Sequence, residues 1–215
     1  MFKFSKEEKE VIKKNFLDKI SRDVTIYSFW TKEREGLNEM ARVILSELEK
    51  LSNKIKVEER EFDPNGELEK KFNINFAPCL VAVCEEKYFR FYGFPGGYEF
   101  PVFLDVLAMI SSEEMEVGEE VKKIIENIEK PVKVKIFVTV TCPYSPIMTH
   151  WAYTFAVLNN KIDVDVYDVG EFQGIAEEYN VRTVPKTILD DKLDFEGAIP
   201  PKVFAYCIKS ISKEK

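Results

Sequence analysis

Apolar positions along this chain switch repeatedly between a helical period and a period of two, which predicts helices alternating with strands. Val11, Ile12, Phe16 and Ile20 recur on one face of a first helix. Its start, Ser5-Lys6-Glu7-Glu8, fits a capping box. Thr25-Ile26-Tyr27-Ser28-Phe29 is β-branched and aromatic, the composition of a strand. The same order returns later: a helix near 113–129 with Val121, Ile124, Ile125 and Ile128 on its apolar side, a break at Pro131, then a strand over 132–140. An amphipathic helix follows, with Ile147, Trp151, Phe155 and Leu158 along its apolar stripe.

The recurrence is a repeat with an offset of 107 residues, set by Phe72-Asn73-Ile74-Asn75-Phe76-Ala77-Pro78 over Tyr179-Asn180-Val181-Arg182-Thr183-Val184-Pro185. Leu48 then lies over Phe155, and Val57 over Val164. After each Pro comes a hairpin, a turn at Gly93-Phe94-Pro95 or Gly197-Ala198-Ile199-Pro200, and a closing helix near 100–111 or 201–212. Each copy reads helix, strand, helix, strand, helix, Pro-started strand, strand, helix. A βαβ crossover followed by a hairpin makes an α/β fold with a mixed sheet, parallel through the crossover and antiparallel in the hairpin. Ser111-Ser112-Glu113-Glu114 interrupts the apolar pattern, giving units of 1–112 and 113–215.

Composition narrows the function. At 215 residues and 45% apolar content, two small domains can each bury a core. A net charge of −7 argues against binding to nucleic acid or to an anionic membrane. The N-terminal stretch has no apolar signal-peptide core, and no uncharged apolar run is long enough to span a bilayer, so a cytoplasmic location is expected. A single glutamine, Gln173, among many Lys and Glu is a bias of hyperthermophile proteins. One histidine and four scattered cysteines cannot make the usual zinc spacings, so no metal site is expected.

Chemistry concentrates at Cys142, where the strand over 132–140 gives way to a helix through Thr141-Cys142-Pro143-Tyr144-Ser145-Pro146. Pro143 is expected at the first helical position. Free backbone N–H groups there favour a thiolate, so the Cys142 pKa is expected below that of a free thiol. Thiolate is the nucleophile of disulfide exchange.

Cys142-Pro143-Tyr144 after a strand, with Val184-Pro185 opening a later one, resembles the thioredoxin-fold redox proteins, glutaredoxins in particular. The tandem arrangement is similar to the protein disulfide oxidoreductases of hyperthermophiles. Leu51–Ile55, Tyr92–Phe100 and Phe195–Pro200 fit that family too. The resemblance implies two tandem thioredoxin-like folds, each a mixed four-stranded sheet flanked by helices. It implies that Cys142 attacks substrate disulfides and that Pro185 is a cis-proline. Pro143 and Tyr144 would lie against the substrate, with Val184 pairing with it as an extended peptide. Protein thiols and disulfides would be the partners, with glutathione or a thioredoxin reductase-like donor supplying electrons and no bound cofactor.

Two positions depart from the family pattern. Ser145 stands where the resolving cysteine belongs, which leaves either monothiol chemistry with an outside thiol or a form that traps mixed disulfides. The first copy reads Glu35-Gly36-Leu37-Asn38 at the matching positions and has no thiol there, and the dipole of the helix explains Glu35. The proton-transfer carboxylate of thioredoxins lies six residues before the attacking cysteine, which is Ile136 here. Cys84 and Cys207 read as core residues, the latter on a face with Val203, Phe204 and Ile211, and Cys79 sits beside Pro78. His150 lies two turns beyond Cys142, too far for a Cys–His pair. Alternatives to the exchange enzyme are a redox-inactive peptide-binding module and a monothiol carrier of a [2Fe–2S] cluster with glutathione.

Overall fold

The computed structural model describes residues 3–214, so Met1 and Phe2 of the N-terminal stretch read above lie outside it. Contacts divide the chain into two compact units, Met1–Phe94 with Leu107–Glu113, and Pro95–Val106 with Glu114–Lys215. The repeat appears element for element. The first copy holds α1 (Lys6–Asn15), β1 (Val24–Trp30), α2 (Glu35–Leu51), β2 (Ile55–Glu61), α3 (Glu67–Lys71), β3 (Cys79–Cys84), β4 (Lys87–Tyr92) and α4 (Glu99–Ser112). The second holds α5 (Glu119–Glu126), β5 (Val132–Val138), α6 (Ser145–Leu158), β6 (Ile162–Asp168), α7 (Gln173–Glu178), β7 (Lys186–Leu189), β8 (Leu193–Glu196) and α8 (Pro201–Lys213).

In the first unit β1 pairs parallel with β2 and antiparallel with β3, which pairs antiparallel with β4. The second unit repeats this with β5 parallel to β6, antiparallel to β7, and β7 antiparallel to β8. Burial follows position in the sheet. β3 (Cys-Leu-Val-Ala-Val-Cys) is apolar throughout and buried at nearly every position, as a strand covered on both faces must be. β2 is mostly charged and exposed, which suits an edge strand that must resist pairing with other chains. Phe89, Phe91, Tyr92 and Phe94, on β4 and the turn after it, are all core.

The recurring Asn of the repeat has a physical cause. Asn73 and Asn180 have φ of 52° and 51°, the left-handed conformation that Asn tolerates better than most residues. Each follows a short helix and completes a Schellman cap. Ile74 N donates to Glu69 O at 2.7 Å and Asn73 N to Lys70 O at 3.3 Å. Val181 N to Ala176 O and Asn180 N to Glu177 O, at 2.8 and 3.0 Å, repeat that geometry. A buried cation then reaches the carbonyl before each Asn: Arg90 donates to Phe72 O, and Lys186 to Tyr179 O at 3.0 Å.

The structure corrects several local readings. Ser5 does close a capping box with Glu8, but α1 ends at Asn15, Val11 is 54% exposed, and Leu17 joins Ile12 inside instead. α5 is shorter than the 113–129 read from periodicity: Gly118 is its N-cap and Glu113 has a positive φ, although all four predicted apolar residues are buried. On α6 the buried face is Met148, Ala152, Tyr153 and Phe155, while Ile147 is 42% exposed. On α8, Val203 is exposed and Cys207 half-buried, because the face turned inward is Phe204, Ala205, Ile208 and Ile211. Among the described residues no helix is long and apolar enough to cross a membrane.

Candidate active site

The second unit places Cys142 in the loop between β5 and α6, half-buried, with its N–H donating to Thr139 O at 3.1 Å. Pro143 is not the first helical residue. Tyr144 is the N-cap of α6, Ser145 its first residue, and Pro146 takes the early-helix position that proline tolerates. Cys142 therefore lies two residues outside the cap. Pro143 and Tyr144 are exposed, Tyr144 at 62%, whereas Ser145 is fully buried.

The chain segment before β7 meets this loop. The Cys142 thiol donates to Val184 O at 3.5 Å, and the Val184–Pro185 peptide bond is cis. Pro185 is buried and its carbonyl accepts from Gly197 N at 2.8 Å. The first unit has the same tie, Gly93 N to Pro78 O at 2.8 Å after a cis Ala77–Pro78 bond. Gly93 and Gly197 have φ of 105° and 80°, so each tie needs a residue without a Cβ. The structure thus brings Cys142 and Val184 into contact and leaves Pro143 and Tyr144 open to a ligand. Beside them runs a groove of about 490 Å³, lined by Thr139, Gly170, Gln173, Arg182, Thr183 and Val184 among others.

The matching region of the first unit lacks a thiol. Glu35 is exposed at the first residue of α2, Asn38 donates to Thr31 O at 2.6 Å, and Cys79 is buried beside Pro78. Cys84 is also buried, and burial raises its pKa, the behaviour of a packed and unreactive thiol. His150 sits 3.3 Å from Asp105.

Sequence reasoning missed Glu99. Pro95–Val106 belongs to the first copy by sequence but groups with the second unit, which places Glu99 in the same compact unit as Cys142, at 1% exposure. Burial raises its pKa to about 7; Thr149 draws it down in part and the Asp168 charge pushes it up. Burial also raises Asp168, opposed by a hydrogen bond from Gly170 N. The available signal was one Glu in the otherwise uncharged run Gly93–Leu104. Among the described residues no group of three or more His, Cys, Asp or Glu side chains could hold a metal.

Comparison with known proteins identifies the fold. Residues 132–208 match the thioredoxin domain family. The chain superimposes on the NTD_N/C domain of alkylhydroperoxide reductase AhpF from Enterococcus faecalis with a TM-score of 0.86 at 21% identity, over 96% of this chain and 100% of that one. A protein disulfide oxidoreductase from Aeropyrum pernix gives 0.86 at 20% identity, over 100% of this chain and 96% of that one. No curated protein matches the sequence. The match over residues 132–208 and the superpositions over the whole chain show a thioredoxin-like fold repeated in tandem, shared with the Aeropyrum structure.

Proposed function

We propose that this protein is a thiol–disulfide oxidoreductase in which Cys142 is the attacking cysteine. The observation that carries the reading is the half-buried Cys142 thiol 3.5 Å from Val184 O, in a domain of thioredoxin type. A substrate lying along Val184 would present its disulfide at Cys142. The Cys142 thiolate attacks one sulfur, a mixed disulfide forms, the substrate S–S bond breaks, and the other sulfur leaves as a thiolate. Ser145 cannot break the mixed disulfide, so an outside thiol such as glutathione attacks it and restores Cys142. Protein disulfides are the substrates, a small thiol or a thioredoxin reductase-like system is the electron donor, and the exchange needs no resident cofactor.

Turnover of a glutathionylated peptide with excess glutathione tests this. The full chain is expected to turn over and Cys142→Ser to be inactive. Equal rates for the two, or no turnover by either, would refute the assignment. A redox-inactive peptide-binding role is favoured by one feature of the first unit, the exposed Phe76 next to the cis Ala77–Pro78 bond at a site with no thiol. Client binding that survives in Cys142→Ser would support that role.

A further inference from the structure

The turn between β2 and α3 sets the chain's one Asn-Gly pair against a buried carboxylate. Asp63-Pro64-Asn65-Gly66 has the residues a type I turn favours, with Asp first, Pro second and Gly fourth. Gly66 N closes the turn by donating to Asp63 O at 2.8 Å. Asn65 N donates to Asp63 Oδ1 at 2.9 Å, and Asp63 N to Glu69 Oε1 at 3.1 Å. Glu69 is 6% exposed, whereas Asp63, Pro64 and Asn65 are exposed. Phe62 N donates to Trp30 O at 3.0 Å, which fixes the end of the sheet from which the turn departs. Gly66 has a φ of −59°, open to any residue, so the glycine answers to space and not to backbone freedom. A Cβ there would sit 1.9 Å from Glu69 Oε2, so a larger residue would displace the carboxylate.

This close fit places a chemical liability at the surface. Asparagine is thermolabile, and a glycine after it has no Cβ to screen the backbone nitrogen that attacks its side chain. In that reaction the Gly66 amide gives up its proton to water, its nitrogen bonds to Asn65 Cγ, and the side-chain nitrogen leaves as ammonia. Water then opens the cyclic imide at either carbonyl and yields aspartate or isoaspartate. One water is consumed, one ammonia is released, and nothing is oxidised or reduced. In the closed turn the Gly66 N–H is held by Asp63 O, which keeps the nitrogen from swinging onto Cγ.

We propose that Asn65 is a self-modification site that the fold holds shut, with Glu69 as its latch. Glu69 fixes Asp63, and Asp63 fixes the amides of both Asn65 and Gly66. Opening the turn frees the Gly66 nitrogen. Either product then places a carboxylate beside Asp63 and Glu69, and isoaspartate also adds a methylene to the backbone, which breaks the spacing of the Asp63–Gly66 bond. The change is one-way and marks each copy whose turn has opened. It is independent of the exchange chemistry at Cys142.

The test is the rate of Asn65 conversion in the full chain at pH 8, read by mass mapping of the peptide that carries it, with isoaspartate told from aspartate by fragmentation. The folded chain is compared with the same chain unfolded in guanidinium chloride. Three hydrogen bonds of ordinary strength correspond to a slowing on folding of roughly tenfold to a thousandfold. Glu69→Ala should raise the folded rate about fivefold, the loss of one such bond, while Glu69→Gln, which keeps an acceptor oxygen, should hold the wild-type rate. Circular dichroism checks that each variant is folded. Should Glu69→Ala not fold, Asp63→Ala at the exposed side of the turn takes its place, with the same expected gain. Equal rates in the folded and unfolded chain overturn the shut site. A folded alanine variant that converts at the wild-type rate overturns the latch, and an Asn65 that stays intact in the unfolded chain overturns both.

Discussion

Burial and ionisation oppose each other at Glu99. Its folded pKa of about 7 lies above the 4.5 of an unfolded carboxyl, so the folded chain holds this proton more tightly than the unfolded one. The stability this adds is complete below about pH 4.5, declines as pH rises toward 7, and is absent above it. Glu99→Gln keeps the neutral shape at every pH. The variant is therefore expected to match the wild type near pH 4.5 and to exceed it by roughly 1–3 kcal/mol at pH 8, read from melting temperatures. Asp168, also raised, adds a slope of the same sign. A variant less stable than the wild type at pH 8 would show that the carboxylate has a charge partner in solution.

At the scale of elements, the turn entering α4 is tied to the strand end that leads into the Cys142 loop. Gly97 has a φ of +53°, and a Cβ there would sit 2.1 Å from Val140 O, a backbone atom that cannot rotate away. The same carbonyl accepts from Tyr98 N at 2.9 Å, which ties this turn to the residue two before Cys142. Gly97→Ala combines a left-handed backbone with a backbone clash, so a loss of about 2 kcal/mol or more is expected in chemical denaturation, together with slower exchange at Cys142. A loss under about 0.5 kcal/mol would mean that the turn moves freely. The starts and stops of elements were legible where a local cap sets them, as at Ser5. They were not at α6, where two prolines compete and Pro146, not Pro143, enters the first turn.

For the molecule as a whole, the repeat and the compact units divide the chain differently. The repeat places the boundary at 112/113, while contacts assign Pro95–Val106 to the second unit. That segment carries Glu99, the Tyr98 bond to Val140, and Asp105 beside His150. A fragment of residues 95–215 is accordingly expected to melt at a higher temperature than one of 113–215, and to keep the pH dependence that the shorter fragment loses. Equal melting curves would show that the segment adds nothing to the second unit.

Local chemistry made the repeat, the element order and the position of Cys142 after β5 readable from the chain. Period, turn residues and β-branching act over a few neighbours, and the recurring Asn is a residue whose conformation its own short helix demands. Which apolar residues are inside was only half readable. Periodicity finds a stripe on a helix, but the neighbouring elements choose the side, so Val11, Ile147 and Val203 ended exposed. Glu99 was not readable at all. Thr149 and Asp168, which act on its carboxyl, lie dozens of residues away in the chain, and only the folded molecule buries it and brings them to it.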